Sequence, residues 1–309
     1  MNRIVECVPN FSEGRRTDVV DAIAAAMLVA GSVYLLDRHM DPDHNRAVIT
    51  IAGSPEAITE AAFRGVEAAA AHIDLTKHHG EHPRIGATDV VPFVPIRGVT
   101  LDECVLIARS VGQRISGQLK IPVYLYEAAA TRPSRIRLED IRRGQFEGLR
   151  DEIETKPERR PDFGEPRIHP TAGATAVGAR KPLIAYNINL DTPDVEIARQ
   201  IARRVRSSSG GLPCVKAMGL RIKERNQAQV SMNLTDYEQT SMRLVFDTVR
   251  IEAERLGAGI ASSEIVGLVP RGALDPAAAP DLRLENFRPA MILENRLAEV
   301  GAIIGDQYG

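Results

Sequence analysis

What most restricts this chain is one order of elements that it runs through twice. Residues 3–8 are short and β-prone, 17–30 are rich in helix formers and close at Gly31, and 32–37 and 46–52 read as strands around the polar turn 39–45. Ser54-Pro55 supplies an N-cap and a first-turn proline, so 55–72 reads as helix. Residues 89–96, with Pro92 and Pro95 inside an apolar run, read as an edge or bulged strand. The second half repeats the order. Strand 181–190 leads to a helix from Thr192-Pro193 to about residue 207, then to strands 214–222 and 229–234 around the turn 223–228. A helix follows the Thr235–Glu238 capping box, and 260–269 is a final strand. Each copy is β-α-β-β-α-β, the split βαβ or ferredoxin-like order. The expected fold is α/β (α+β), with two ferredoxin-like βαββαβ subdomains over residues 1–178 and 179–309. Helices cover one face of each sheet, and a ligand site is expected at the seam.

Between the copies, the Thr100–Glu103 capping box opens a helix to about residue 119, and 121–126 reads as one more strand. Residues 132–160 are highly charged with one weak helix, which suggests a surface excursion with solvated charges. Residues 161–180, rich in Gly, Pro, Ala and Thr, read as a linking loop. From 274 onward the chain reads as helical packing, closing with 285–300.

The formal net charge of −2 provides no global field to attract nucleic acid or an anionic membrane. Aromatics at 4%, with no Trp, offer no platform for stacking bases. Cys7, Cys104 and Cys214 are scattered, which fits reduced thiols in the cytoplasm better than a disulfide framework or a zinc site. The first residues lack an apolar stretch of signal-peptide length. The longest uncharged run, 22–36, is too short to span a bilayer. These properties point to a cytoplasmic protein whose partners are small molecules rather than nucleic acid or membrane.

Chemistry concentrates at K-H-H-G-E-H-P-R (residues 77–84), where His78, His79 and His82 stand beside Glu81 and Arg84. Gly80 and Pro83 break any helix there, so titratable groups are displayed on an irregular loop. Read alone, the cluster fits a solvated polar loop as well as an active site.

The rest of the sequence favours the active site. I-V-E-C-V-P-N-F-S-E-G (4–14), D-P-D-H-N-R (41–46), the loop continued as I-G-A-T-D to residue 89, and G-Q-R (112–114) recur as a set. They are joined by P-V-Y-L-Y (122–126), G-A-R-K-P-L-I-A-Y-N-I-N-L (178–190) and I-V-G-L-V-P (265–270). With these motifs the chain resembles the glutamate formimidoyltransferase family over its length to about Pro270. In animals that unit is the first half of a formimidoyltransferase-cyclodeaminase. The resemblance implies transfer of a formimidoyl group between N-formimidoyl-L-glutamate and tetrahydrofolate, a step of histidine breakdown and one-carbon metabolism. It also implies a homodimer, tetrahydrofolate as co-substrate and no metal. The family's catalytic histidine falls on His82. Its folate-contacting stretch falls on residues 163–172, hence on Phe163, Gly164, His169, Thr171 and Ala172, with Gly173 beside them. Animal members carry an aromatic where Ala172 stands and an Asp where His39 stands. The part of that acid falls to His39, Asp41 or Asp37.

The chemistry asks for little machinery. An amine attacks an amidine carbon, a tetrahedral intermediate forms, and a nitrogen leaves. One base near neutrality can move the proton from attacker to leaving group. His82 is assigned that task, with Glu81 or a nearby Asp fixing its tautomer. His78 and His79 either touch substrate or orient the loop. Arg46, Arg84 and Arg180 are candidates to bind substrate carboxylates, with pairing inside the protein as the alternative. Asn10 and Ser12 line the site or form their own turn. Gly164, Gly173 and Gly178 relieve strain where backbone approaches ligand or partner. Three other readings remain. One is formyl transfer on the same fold. The second is a metal-dependent hydrolase with His78, His79, His82 and Asp89 as ligands, although no H-x-H or H-x-x-x-H spacing occurs. The third is a non-catalytic folate-binding module.

Overall fold

Pro9 interrupts the first strand, leaving β1 (Ile4–Cys7) and β2 (Asn10–Phe11) end to end. Helix α1 (Thr17–Leu28), the hairpin of β3 (Val33–Asp41) and β4 (Arg46–Gly53), α2 (Pro55–His72) and β5 (Thr88–Arg97) follow. Both β1 and β2 lie between β4 and β5, antiparallel to each, and β3 lies outside β4. This is the split βαβ order read from the sequence. The computed structural model describes residues 3–80, 82–285 and 287–302. The chain divides into two units, the first reaching Arg180 and the second starting at Lys181.

Local signals place the helices. Ser54 accepts the Ala57 N–H at 3.2 Å to start α2, with Pro55 behind it. In α3 (Leu101–Arg114), Thr100 and Glu103 close a reciprocal capping box. Ile23, Met27, Ile49, Ile51, Ile58 and Phe93 are fully buried where α1, α2 and α3 meet the sheet.

The first sheet goes beyond the expectation. After β6 (Val123–Glu127) come α4 (Leu138–Ile141), α5 (Gln145–Glu152) and β7 (Thr175–Ala179). Strand β7 inserts between β5 and β6, parallel to both. Its sequence, T-A-V-G-A, has no alternation and all five residues are buried, so the neighbouring strands rather than its own pattern make it a strand. The linking-loop reading of 161–180 is corrected there. The charged excursion is corrected too. Its Ile141, Leu149 and Ile153 pack with Val90, Tyr124, Tyr126 and Ala176 in a core of their own. Among its charges, Arg135 is 3% exposed and pairs with Asp162 at 3.2 Å. Strand β3 runs on to Asp41, which makes His39 a strand residue opposite Val48. Strand β5 is bulged, as its prolines suggest, but it is interior to the sheet rather than at an edge.

The second unit holds β8 (Ile184–Leu190), α6 (Val195–Val205), β9 (Val215–Ile222), β10 (Gln227–Leu234), α7 (Met242–Arg255) and β11 (Ile260–Val266), with sheet order β11-β8-β10-β9. Helix α7 starts later than its expected capping box. Ser241 accepts the Leu244 N–H at 3.2 Å, whereas Thr235 donates to the Cys214 carbonyl at 3.2 Å. A short helix, α8 (Leu293–Glu299), closes the unit.

Candidate active site

The β3–β4 turn is held rigidly. Asp41 Oδ1 accepts the backbone N–H groups of Asp43 (3.0 Å) and His44 (2.9 Å), and its Oδ2 accepts Nδ1–H of His44 at 2.6 Å. Burial opposes ionisation of Asp41, but these hydrogen bonds and the His44 charge hold its carboxyl below the usual range. Asn45 follows in the left-handed region, at φ 49°, and ties three segments together. Its Oδ1 accepts Gly14 N–H at 2.9 Å and its Nδ2 donates to the His79 carbonyl at 3.0 Å. A Cβ on Gly80 would stand 2.3 Å from the His44 carbonyl oxygen, so only glycine lets the histidine loop lie this close to the turn.

That approach delivers His82 to Arg46. The Arg46 Nη1–H donates to His82 Nε2 at 3.0 Å. A guanidinium has only donors, so Nε2 must be the bare nitrogen and the ring proton lies on Nδ1. The His44 ring stands edge-on to His82, with centroids 6.4 Å apart at 75°. Arg142, at the end of α4, is the second guanidinium here. It is anchored by Asp89, whose other oxygen accepts Ile85 N–H at 2.8 Å. Asp89 is the extra residue of a bulge: Asn10 faces Val90 and Phe11 faces Thr88. The Nε atoms of Arg46 and Arg142 are buried without a hydrogen-bond partner among the described residues. Burial, then the charges of Arg46, Arg142 and His44, push the His82 imidazole down to about 2, with Asp41 acting the other way. Burial and Arg142 likewise pull Arg46 below its ordinary value.

The other candidates separate. His78 is buried, accepts Arg84 Nε–H on Nδ1 at 3.2 Å and donates from Nε2 to the Asn45 carbonyl at 2.9 Å. Arg84 is buried in a fork with Glu147 at 2.7 and 2.9 Å and also donates to Gln145 at 3.0 Å. Both therefore brace the loop against α5. His79 is exposed. Glu81 lies outside the described residues. Ser12 donates to the Gly86 carbonyl at 2.7 Å, and Asn10 to the Val8 carbonyl at 3.1 Å. Arg180 lies where β7 leaves Phe93, and its charge bears on Cys7 and Tyr126. Of the residues of a possible metal set, His78 is bonded to Arg84, His82 to Arg46 and Asp89 to Arg142, while His79 is exposed. Among the described residues no three His, Cys, Asp or Glu gather as a ligand group.

In the expected folate stretch, His169 Nδ1 accepts the N–H groups of Thr171 (3.3 Å) and Ala172 (3.0 Å), which folds 169–173 into a tight turn. Gly173, at φ +71°, lies where a Cβ would meet the Ile85 carbonyl at 2.3 Å. Ala172 is 1% exposed, while Phe163 and Thr171 are half-buried and Gly164 is exposed. Phe163 exchanges backbone hydrogen bonds with Val123 and packs against Gly112. In the second unit, Asn187 and Gln229 both donate to Glu264, at 2.9 and 3.1 Å, and Gln229 also donates to Asn189 at 2.9 Å.

Sequence reasoning did not single out His44 or Arg142. The first had a visible signal, the Asp41-x-x-His44 spacing inside a matched motif. The second had none, because 53 residues separate Arg142 from Asp89.

A buried imidazole bonded to one guanidinium and under the charge of a second, in a two-unit α/β chain, is the kind of perturbed titratable cluster in which acid–base chemistry is sought. The chain matches the formiminotransferase domain, N-terminal subdomain, over residues 4–180, and the formiminotransferase domain over 185–296; it belongs to the formiminotransferase family. It is 48% identical to a glutamate formimidoyltransferase of Streptococcus pyogenes, covering 96% of this chain and 99% of that one. It is 47% identical to one of Thermoplasma acidophilum, covering 95% and 97%. A formimidoyltransferase-cyclodeaminase of Mus musculus is 46% identical over 90% of this chain and 52% of its own length.

Proposed function

We propose that this chain is a glutamate formimidoyltransferase that moves the formimidoyl group between N-formimidoyl-L-glutamate and tetrahydrofolate, in the cytoplasm and as a homodimer, with no metal. The observation that carries the reading is His82. It is neutral and held by Arg46, in a chain nearly half identical to such transferases from end to end. A glutamate carboxylate arriving at Arg46 takes up its N–H groups, frees His82 Nε2 and cancels part of the charge that lowers the ring's proton affinity. The folate amine then attacks the amidine carbon, and His82 takes up the proton that this nitrogen sheds. Tetrahydrofolate lies along 163–172. There Phe163, Gly164 and Thr171 offer surface, while His169, Ala172 and Gly173 shape the turn. Arg84, His78 and Arg180 act as braces rather than ligands. Residues 1–178 and 179–309 are the two subdomains of the transferase.

The test mixes protein, tetrahydrofolate and N-formimidoyl-L-glutamate and follows formimidoyl-tetrahydrofolate, with wild type beside His82→Ala. Turnover in wild type that drops about 10²–10⁴-fold in the variant, with folate binding retained, supports the reading. An inert wild type refutes it.

A further inference from the structure

The transfer contains two proton jobs, one at the attacking nitrogen and one at the leaving nitrogen. We propose that they are divided between two imidazoles, His82 as the base toward the attacking folate amine and His44, oriented by Asp41, as the acid toward the departing glutamate nitrogen. This deepens the reading above and rests on it.

The geometry supports the pairing. The two rings stand edge-on with centroids 6.4 Å apart, so two imidazoles neighbour each other at one site. Each tautomer is set by a different partner. His82 accepts from Arg46 on Nε2, and His44 donates from Nδ1 to Asp41 at 2.6 Å. The Nε2 of His44 is thereby left as the atom that carries the movable proton. Asp41 is itself fixed by two backbone N–H groups, so the His44 ring is aimed by a rigid turn and not by a flexible side chain.

Their surroundings differ in sign. His82 is enclosed and faces Arg46 from β4 and Arg142 from α4, and the charges of both oppose its protonation. A proton on His44 leaves an imidazolium ion-paired with the Asp41 carboxylate. The remaining charges near the turn are Asp43, which is exposed, and Arg15, whose Nε donates to the Pro42 carbonyl at 2.8 Å. The two rings thus have different neighbours, guanidiniums near His82 and a carboxylate bonded to His44, and take opposite roles, the first as base and the second as acid.

Protons balance across the step. The lone pair of the folate amine forms the new C–N bond, and the proton that nitrogen sheds goes to His82. The bond from the same carbon to the glutamate nitrogen breaks as His44 Nε2–H protonates that nitrogen. His82, now charged between two guanidiniums, returns its proton to the neutral His44, and the site is reset.

The experiment measures kcat and KM in the formimidoyl transfer from about pH 5 to about pH 9. Wild type is compared with His44→Ala, His44→Gln and Asp41→Asn. His44→Ala is expected to lower kcat about 10²-fold with little change in KM, to lose the alkaline fall in rate, and to recover with added imidazole. His44→Gln is expected to do the same without rescue, which covers the case of a misfolded alanine variant. Asp41→Asn keeps an oxygen for the turn but removes the charge that holds the His44 proton, so the alkaline limb moves to lower pH. A wild type that turns over while His44→Gln keeps both its rate and its alkaline limb overturns the division of labour and leaves the transferase reading standing. An inert wild type overturns both.

Discussion

Replacing His82 by Gln should make the folded protein more resistant to acid. The folded imidazole takes up its proton only near about 2, because burial, Arg46 and Arg142 oppose the charge, whereas the unfolded ring takes it up near 6.5. Between those values the unfolded state binds a proton that the folded state does not. Stability is therefore fully present above about pH 6.5 and is lost as the pH falls. At 1.36 kcal/mol per unit, this one ring costs about 1.4 kcal/mol at pH 5.5 and about 2.7 kcal/mol at pH 4.5. Gln keeps an oxygen to accept the Arg46 N–H and cannot titrate. Urea unfolding of both proteins at neutral pH, at about pH 5.5 and at about pH 4.5 gives the difference directly, since the carboxylates common to both cancel. Relative to neutral pH, the variant is expected to gain on wild type by a little over 1 kcal/mol at about pH 5.5 and by about 2.5 kcal/mol at about pH 4.5. Parallel stability curves would mean that the folded ring accepts its proton normally, and the guanidinium enclosure would then not do what its geometry implies.

Three further outcomes follow from the same structure. Arg46→Ala removes the largest of the opposing charges, so the His82 imidazole should titrate at higher pH in ring-nitrogen NMR. KM for N-formimidoyl-L-glutamate should rise about 10–100-fold, as for a lost charge-assisted hydrogen bond, and an unchanged KM counts against carboxylate binding there. Asp162→Ala strands the buried Arg135 guanidinium and should cost about 3–5 kcal/mol in urea unfolding, whereas a loss under 1 kcal/mol would show that water reaches the pair. Gly173→Ala forces a Cβ toward the Ile85 carbonyl at positive φ and should cost more than about 2 kcal/mol; unimpaired folate binding and stability would show that the turn relaxes freely.

Much of the scaffold was legible because its signals are short-range. Ser54 and the Thr100–Glu103 pair cap helices through hydrogen bonds that span three residues, so the sequence states them outright. The apolar alternation of β4, with Ala47, Ile49 and Ile51 inward, marks a sheet face in the same way. The capping box at Thr235 shows the limit: the pattern was present, but Ser241 took the cap because the chain leaves β10 by bonding Thr235 to Cys214. Strand β7 was illegible for the opposite reason, since T-A-V-G-A carries no pattern and is a strand only by lying between two others.

The candidate site divides along the same line. The sequence by itself determined that histidines and an arginine would be displayed on a Gly- and Pro-broken loop, because those breaks are local backbone chemistry. Only the tertiary structure decided what each does. Arg84 and His78 became braces when Glu147, 63 residues from Arg84, closed over them. His82 came to stand beside Arg46 and near Arg142 and His44, partners that lie 36, 60 and 38 positions away in the chain. A protonation state depends on burial and on distances to charges, and both are properties of segments brought together by the fold rather than of neighbours in sequence.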